Sequence, residues 1–586
     1  MLKKLSPLTL LVSSAVWAAP LPVPSAGSLG NQLRQEAPAP LVPLSSAPLQ
    51  LPSDEHGNTV SPSASQTRVV LKKVVFSGDI EVPGVASVTE ARLQQIVLPW
   101  VGKSISFADM QTLAQAVTQF YRQQGILLGH AVLPPQTIKN GVLTVNIIAG
   151  RYDTSTIHNA TALRDSVVQR IVSTTTPSGE VVRRGTLERV ALLLSEIPGV
   201  NAQVALKAGE KTGTSALDIN LEPGPQFGGY VGMDNQGNAS TGRSRAMLGA
   251  YANNLLGLGD QLRVDVMDAY EHSDLFNGAL DYSALVGGYG TRVGANYSHL
   301  NYHYNFQGLG FNGYSDNWTV YATQPWIRTA KARVDVRLDG GQQYLTDKYP
   351  SSFFSSAFGA EGRKRVSLGG LSLTGTAATT PGGLSGINVR GTVGQMDYRT
   401  EVARIIGSSD ETGASGQFSR LNYQLNHDQQ IWGPFSFYAN LTGQMASHNL
   451  DTSQKFLLGG PSAVRAYDVG DGSVDEGNIG TAELRSRWHI PVQRWLGTSP
   501  ELTVAAFYDQ GWGEQYKDNR VREMSGSARL TNNNRVNLSG TGLYATVADA
   551  GNYALTMTWA HRTGDVDPVS GHDDSDRFWV SAVKTF

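Results

Sequence analysis

Beyond Pro223 the chain alternates between apolar and polar residues in many separate segments. In 332–338, Ala, Val, Val and Leu occupy every second position and charged residues fill the positions between them. The segments 262–266, 435–442 and 555–560 repeat this period of two. A period of two places alternate side chains on opposite faces of a strand. An apolar face opposite a polar or charged one predicts strands that lie between lipid and a water-filled lumen.

A large soluble β-sandwich with one solvated face is the alternative to a membrane barrel. The alternation continues to Phe586, and the last segment, 578–586, ends in that aromatic residue. Tight turns at 324–326 and 432–434 contrast with a longer polar connection at 407–416, an asymmetry typical of outer-membrane barrels. The 363 residues of 224–586 accommodate about 16 antiparallel strands of about 9–11 residues, although length alone does not separate 14 strands from 18.

Two segments of mixed helix and strand pattern precede the predicted barrel. Residues 67–151 predict the order strand, helix, helix, strand, strand, with Ser106 and Asp109 as the N-terminal cap of the second helix. Residues 152–223 predict the same order again. Two successive segments of the same order indicate an internal repeat of two small α/β domains.

The N-terminus carries a targeting pattern. Two lysines precede the apolar run 5–17, and Ala18-Ala19-Pro20 follows, which predicts a secretory signal at 1–19. An uncleaved anchor is the alternative, but the run is short for a membrane core of about 30 Å. Residues 20–66 are rich in Pro, Ser and Ala and predict a linker. Within it, the pattern of 28–36 is compatible with a short helix, which Gly30 weakens by about 1 kcal/mol relative to Ala, so the segment on its own is expected to be disordered.

Composition and motifs narrow the function. Lys and Arg total 47 and Asp and Glu 49, so the net charge of −2 argues against a nucleic-acid binder. The absence of Cys excludes disulfides, thiolate metal sites and cysteine nucleophiles. No metalloprotease, serine-hydrolase or phosphate-binding loop motif occurs. We therefore expect no enzyme, no cofactor and no metal, although a barrel protease or lipase needs no short motif.

The segment 456–467, FLLGGPSAVRAY, is the most informative stretch for chemistry. Its single cation, Arg465, follows Gly459 and Gly460 and lies between apolar residues, so it requires water or a carboxylate as a partner. Strand alternation directs Glu483 and Asp509 into the lumen. If the loop folds back into the barrel, Arg465 reaches either carboxylate. The alternative is that these residues are ordinary lumen charges, as in any porin.

Four motifs resemble one protein superfamily. The loop residues Val464, Arg465, Ala466 and Tyr467 (VRAY) resemble the VRGY/F motif of BamA-type assembly and translocation barrels, and the two repeats resemble POTRA domains. The segment 507–511 (FYDQG) is similar to the strand that follows that loop in the superfamily. Segments within 234–260 resemble the first hairpin of two-partner secretion transporters of the TpsB type, which the two repeats and the linker match best.

This resemblance implies an outer-membrane translocon of a Gram-negative bacterium. Its periplasmic POTRA domains would capture an unfolded exoprotein of the adhesin, haemolysin or contact-dependent inhibition toxin type. The barrel would export that partner without ATP. Outer-membrane lipids would surround it, and the barrel assembly machinery and periplasmic chaperones would serve its biogenesis, with Phe586 as the C-terminal assembly signal. An outer-membrane assembly factor and a solute porin are the alternatives, and no nucleic-acid partner is expected.

The resemblance also assigns roles to residues. Arg465 would tie a lumenal loop, about 456–478, to Asp509 or Glu483. The helix around Leu29, Leu33 and Arg34 would plug the pore. Two departures stand out: Ala466 replaces the usual Gly of the motif, which removes backbone freedom, and Gly27 and Gly30 weaken the plug helix.

Overall fold

The computed structural model describes residues 24–36, 48–50, 68–211, 213–269, 271, 274–306, 309–350, 360–407, 409–490, 499–521, 528–564 and 574–586. The predicted signal at 1–19 lies outside these residues, as does most of the predicted linker. Among the helices described, none has the length and apolar character required to cross a membrane.

The first α/β module contains a small sheet packed on two helices. Its elements are β2 (Val69–Val70), β3 (Lys73–Gly78), α2 (Glu90–Val97), β4 (Ser104–Ile105), α3 (Phe107–Gln123), β5 (His130–Val132) and β6 (Val142–Ile148), with a 3-10 turn at Leu98–Trp100. The sheet order is β3-β6-β5. The predicted cap of α3 is confirmed: the Ser106 hydroxyl accepts from the Asp109 amide while the Asp109 carboxylate accepts from the Ser106 amide.

The second module repeats this order. Its elements are β7 (Arg151–Asn159), α4 (Asp165–Thr175), α5 (Arg184–Ser195), β8 (Val200–Ala208) and β9 (Thr214–Pro223). A piece of the predicted linker, β1 (Leu49–Gln50), adds to this sheet and pairs in parallel with β8, giving the order β1-β8-β9-β7. The Val204 amide donates to the Pro48 carbonyl at 3.0 Å. The linker therefore covers one edge of the second module.

Sixteen strands close into an antiparallel barrel, as the sequence predicted. They are β10 (Phe227–Asp234), β11 (Arg245–Asn253), β12 (Gln261–Ala269), β13 (Asp274–Val286), β14 (Thr291–Phe306), β15 (Leu309–Arg328), β16 (Ala332–Lys348), β17 (Glu361–Thr380), β18 (Gly383–Tyr398), β19 (Gly416–Trp432), β20 (Phe435–Ala446), β23 (Glu476–His489), β24 (Glu501–Glu514), β25 (Arg535–Asp549), β26 (Tyr553–Arg562) and β27 (Asp576–Thr585). Two short helices, α6 (Glu401–Ile406) and α7 (Ser409–Thr412), lie between β18 and β19.

The two faces of the barrel wall differ as the alternation predicted. Leu338, Leu371 and Val393 project outward and are each more than half exposed. We call the end of the barrel that faces the second α/β module the module end and the opposite end the far end. Connections at the module end are short, such as 381–382 and 433–434, whereas those at the far end are longer, such as 399–415 and 447–475. The predicted turn at 324–326 is wrong, because these residues lie inside β15. Pro325 is accommodated there by a bulge in the pairing with β16.

The barrel closes where the last strand pairs with the first. The register runs from Tyr230 opposite Thr585 to Asp234 opposite Ser581. Beyond the end of β10, the Asn235 amide group donates to the Phe578 carbonyl at 2.8 Å and its side-chain oxygen accepts from the Val580 amide at 2.7 Å. The Asn235 side chain therefore extends the ladder at this seam.

The second module docks on the module end of the barrel. The turn between β11 and β12 is shaped by Asp260, which is fully buried and accepts from the amides of Leu256 and Leu258 at 3.1 Å. Leu258 packs against the apolar core of the second module. The Arg164 amide donates to Gly257 at 3.0 Å. Because the module core continues into a barrel turn, the second module is held against the barrel wall.

Candidate functional site

The connection between β20 and β23, residues 447–475, leaves the far end of the barrel and folds into the lumen. Its short hairpin β21 (Phe456–Leu457) and β22 (Ser473–Val474) supports the tip that carries VRAY. Val464 and Tyr467 are fully buried in an apolar cluster with wall residues such as Phe507 and Leu538. The tip is therefore packed on the inner wall like a part of the core.

Arg465 contacts both carboxylates that the sequence left as alternatives. Its Nε and Nη2 donate to the two oxygens of Asp509 at 2.8 and 2.9 Å. Its Nη2 also lies 2.8 Å from Glu483 Oε1. The side chain of Asp509 is fully buried and that of Glu483 is 5 % exposed. Such charge-assisted bonds are short and directional, and the low local dielectric strengthens them.

Two further contacts hold Arg465 itself, and a third holds its partner Asp509. The guanidinium carbon lies 3.4 Å from the centre of the Phe507 ring, a cation–π geometry. The Arg465 carbonyl accepts from the indole N–H of Trp579, on the last strand, at 2.8 Å. Thr481 donates to Asp509 at 3.0 Å. Arg465 thus connects the loop with β23, β24 and β27.

The small residues of the motif fit because the opposite wall is also small. Ala466 is buried without a left-handed backbone conformation, so the departure from Gly introduces no strain at that position. A Cβ at Gly540, on β25, would lie 2.4 Å from the Ala466 Cβ. Gly460 has a φ of 128°, which favours glycine, and a Cβ at Gly459 would lie 2.7 Å from the Asp468 carbonyl oxygen.

A second ionic contact, which sequence reasoning missed, holds the other side of the loop. Asp468 lies directly after the motif and is buried. Arg243, in the connection between β10 and β11, donates to its carboxylate at 3.0 Å, and Arg577 on β27 lies 3.1 Å from it. The loop is thereby tied to the last strand of the barrel and to the connection that follows the first strand. Only barrel closure brings these distant residues together, so no local pattern could have identified them.

The helix predicted within the linker lies inside the barrel as α1 (Ala26–Glu36), two residues longer at its start than the sequence suggested. Ser25 caps it: its hydroxyl accepts from the Ser28 amide at 3.1 Å and the Ser28 hydroxyl accepts from the Ser25 amide at 2.8 Å. The Ala26 amide donates to the buried Asp347 carboxylate of β16 at 2.7 Å. The barrel wall thus satisfies one free N–H of the helix N-terminus and supplies a negative charge beside it.

The side of α1 that bears Leu29 packs on an apolar part of the inner wall. Leu29 is 2 % exposed there, and Leu33 is partly buried against the same cluster. We name this part of the wall the apolar shelf; its residues are Leu275, Leu300, Tyr302, Tyr304, Phe311 and Tyr349. The wall therefore holds the helix by apolar contacts, which require no specific pairing of backbones.

The polar side of α1 binds the same loop that carries Arg465. Asn31 and Gln35 donate to the Lys455 carbonyl at 2.5 and 2.8 Å, and Arg34 donates to the Ser453 carbonyl at 3.0 Å. A Cβ at Gly27 would lie 2.8 Å from the Ser453 Cβ, so the glycine permits this close approach. Helix and loop together occupy much of the lumen, and a cavity of about 920 Å³ lies between them and the wall.

Comparisons with known proteins agree with this architecture. Residues 213–529 match the model of the haemolysin secretion/activation proteins ShlB/FhaC/HecB, and residues 77–150 match the ShlB-type POTRA domain. The heme/hemopexin transporter protein HuxB of Haemophilus influenzae (strain 86-028NP) is 32 % identical over 567 residues, which cover 96 % of this chain and 95 % of that protein.

More distant relatives share the fold. The outer membrane transporter CdiB of Dickeya dadantii is 22 % identical over 73 % of this chain and 75 % of its own length. Among solved structures, CdiB from Escherichia coli superimposes with a TM-score of 0.70 at 18 % identity, covering 96 % of this chain and 99 % of that one. CdiB from Acinetobacter baumannii gives a TM-score of 0.61 at 16 % identity with complete coverage of both chains.

Proposed function

The chain belongs to the haemolysin secretion/activation family ShlB/FhaC/HecB, and from this premise we propose how its own residues carry out export. It is a two-partner secretion transporter of the outer membrane, with its POTRA modules in the periplasm and the far end of the barrel at the cell surface. Our proposal concerns the closed state, its release and the kind of partner. It is carried by one observation: the lumen is filled by a helix and a loop that attach to the wall through side chains.

We propose that Arg465 is the anchor of the closed loop and that α1 is the plug. Both elements bind each other through Lys455 and Ser453, so displacement of one weakens the hold on the other. Side-chain contacts can break without disturbing the backbone ladder of the barrel. Export then draws on folding of the partner outside the cell, since a folded segment cannot slide back.

Partner capture is proposed at the POTRA strand edges. An extended chain binds an exposed edge through main-chain hydrogen bonds. At β8 that edge is occupied by Leu49 and Gln50 of the linker. A partner strand that takes this position must displace the linker, and the end of the plug at Glu36 lies only 13 residues before Leu49. Binding at this edge is therefore suited to pull on the plug.

For the partner, we propose a large secreted exoprotein of the haem or hemopexin kind. The relative that matches almost the whole chain is named a heme/hemopexin transporter, and it is more similar than the CdiB transporters. Secreted proteins that bind haem-agarose or hemopexin-agarose would support this assignment. If the missing protein binds neither, an adhesin, haemolysin or toxin partner replaces it.

The first experiment compares surface and extracellular proteins with and without the gene, with the intact copy restored as a control. We expect the loss of one very large protein, which identifies the partner. Loss of many barrel proteins would indicate an outer-membrane assembly factor. No change in either fraction would contradict dedicated secretion and return attention to solute uptake.

The anchor role is tested in the same export assay. Arg465→Ala is compared with Arg487→Ala, another lumenal arginine, which lies on β23 and pairs with Asp428. We expect altered export only for Arg465→Ala, with equal amounts of both barrels in the membrane. Export at the wild-type level by a normal amount of Arg465→Ala protein would contradict the anchor role.

We further propose the boundaries and the biogenesis of the chain. Element order supports a linker with plug at 20–66, POTRA modules at 67–151 and 152–223, and the barrel at 224–586. Limited proteolysis should cut first in the linker. Phe586, whose backbone bonds to Gly229 at the seam, is proposed as the signal for the barrel assembly machinery. Deletion of Phe586 should then reduce the amount of barrel in the membrane.

A further inference from the structure

The apolar shelf differs from the rest of the lumen wall. Across the cavity, β18 to β20 present polar side chains to the lumen, among them Asn388, Asn422 and Asn440. A polar wall is what a water-filled pore requires. The apolar shelf instead carries a ladder of rings: Tyr302 and Tyr304 have centroids 5.9 Å apart, and Tyr304 and Phe311 are stacked 5.2 Å apart with their planes within 8°.

The plug covers this surface in the closed state. Tyr302, Tyr304 and Phe311 are each at most 5 % exposed, and they share one cluster with Ala26 and Leu29 of the plug. The hydroxyl of Tyr302 and the amide of Ala26 donate to the same oxygen of Asp347, both at 2.7 Å. Withdrawal of the plug would therefore expose aromatic rings to water inside the pore, which the hydrophobic effect disfavours.

We propose that the apolar shelf is a binding surface for apolar side chains of the exported partner, and that the plug is its resting occupant. This inference rests on the proposed plug role of α1. A partner segment that replaces the plug removes the same apolar surface from water. The partner therefore stabilises the open pore, and the plug binds the apolar shelf again when the partner has left.

The geometry of the apolar shelf indicates which side chains the bound partner segment carries. Side chains three or four residues apart on a helix lie about 5–6 Å apart, a spacing close to that of the rings, and the plug presents Ala26, Leu29 and Leu33 in this way. In an extended segment alternate side chains lie about 6.6 Å apart, which the ladder also accommodates. The buried carboxylate of Asp347 disfavours an acidic residue at that end. The expected ligand is an apolar, non-acidic segment with one continuous apolar face.

Site-specific photocrosslinking tests this contact in the intact chain. The photoreactive amino acid p-benzoylphenylalanine replaces Phe311, and in a matched variant it replaces Asn440 on the polar wall. The probe is the partner protein identified by its loss from the medium, expressed with and without the transporter variants. We expect a partner adduct from position 311 during export. Normal export with adducts from position 440 and none from 311 would overturn the proposal. If no secreted protein is lost when the gene is removed, the proposed function itself fails.

A second experiment separates holding the plug from binding the partner. Residues 24–36 are deleted, and Tyr304→Ser is then compared with Tyr304→Phe in that deletion background. If the apolar shelf binds the partner, Tyr304→Ser slows export about threefold or more while Tyr304→Phe does not, since a lost aromatic contact weakens binding by about that factor. Equal export by both variants, at equal amounts of barrel, would show that the apolar shelf serves only the plug. If the deletion itself abolishes export, the crosslinking result alone decides.

Discussion

Removal of the Arg465 side chain tests the energy that holds the loop. Arg465→Ala leaves Asp509 fully buried with Thr481 as its remaining side-chain donor, while Glu483 keeps Arg485 at 2.7 Å. A buried ion pair that loses one partner destabilises by about 3–5 kcal/mol, because an uncompensated charge remains in the protein interior. The net contribution of the intact pair is smaller, since both charges are desolvated on burial.

Hydrogen exchange of the loop amides reports this energy locally. The amides of Leu458, Gly459 and Val464 are bonded within the loop and exchange when the loop detaches. A loss of about 3 kcal/mol accelerates their exchange about 100-fold, at roughly tenfold per 1.4 kcal/mol. Arg465→Lys should give an exchange rate between those of the wild type and Arg465→Ala, because one ammonium cannot reproduce the planar fork that reaches both carboxylates. Adding Asp509→Asn to Arg465→Ala should restore much of the protection, because the buried charge is then gone.

Arg487→Ala is the matched control, since Arg487 also faces the lumen but is 36 % exposed and pairs with Asp428. An ion pair at that exposure contributes about 1 kcal/mol or less. Loop exchange should therefore remain near that of the wild type. Equal exchange of residues 458–472 in Arg465→Ala and Arg487→Ala, with both barrels intact, would refute the reasoning.

Three further predictions follow from single contacts. Asp347→Asn removes the charge at the N-terminus of the plug and should raise the frequency of pore opening in planar bilayers. The control is Asp339→Asn, because Asp339 pairs with Arg390 elsewhere on the wall and its loss should leave the plug in place. Equal opening in both variants would contradict the role of Asp347. Gly540→Ala should displace the loop and accelerate its proteolysis, and adding Ala466→Gly should reverse this, because only one Cβ fits between them. Burial raises the pKa of Tyr152 to about 12. The phenol of the unfolded chain ionises first, so the second module should lose stability as the pH rises from about 10 towards 12. Unfolding midpoints measured across that range should fall less for Tyr152→Phe than for the wild type.

The sequence predicted most of the fold because the signals were local. The period of two along each strand, the short and long connections, and the cap at Ser106 are properties of neighbouring residues, and the structure confirms them. The wrong turn at 324–326 has a local cause too. Proline and its neighbours favour a turn, but a bulge in the pairing with β16 absorbs Pro325 within the strand.

The site was predictable in part. Alternation alone directed Glu483 and Asp509 inward, and Arg465 is the single cation of the segment 456–467, so the candidates could be named but not ranked. In the structure Arg465 contacts both carboxylates, Glu483 and Asp509. Gly27 and Gly30 argued against a stable plug helix, yet the helix forms because the Ser25 cap, Asp347 and the loop carbonyls stabilise it from outside.

By itself the sequence determined that the chain forms an antiparallel barrel of about 16 strands, the repeat and the faces of the wall, since these depend on residues a few positions apart. The closed barrel of the structure fixes the strand count at sixteen, where length alone allowed 14 to 18. Only the tertiary structure decided that Asp468 meets Arg243 and Arg577, that the linker pairs with β8, and that aromatic residues of β14 and β15 lie beneath the plug. These contacts join residues more than a hundred positions apart. They follow from closing the barrel around its own N-terminus, and no periodicity along the chain records that closure.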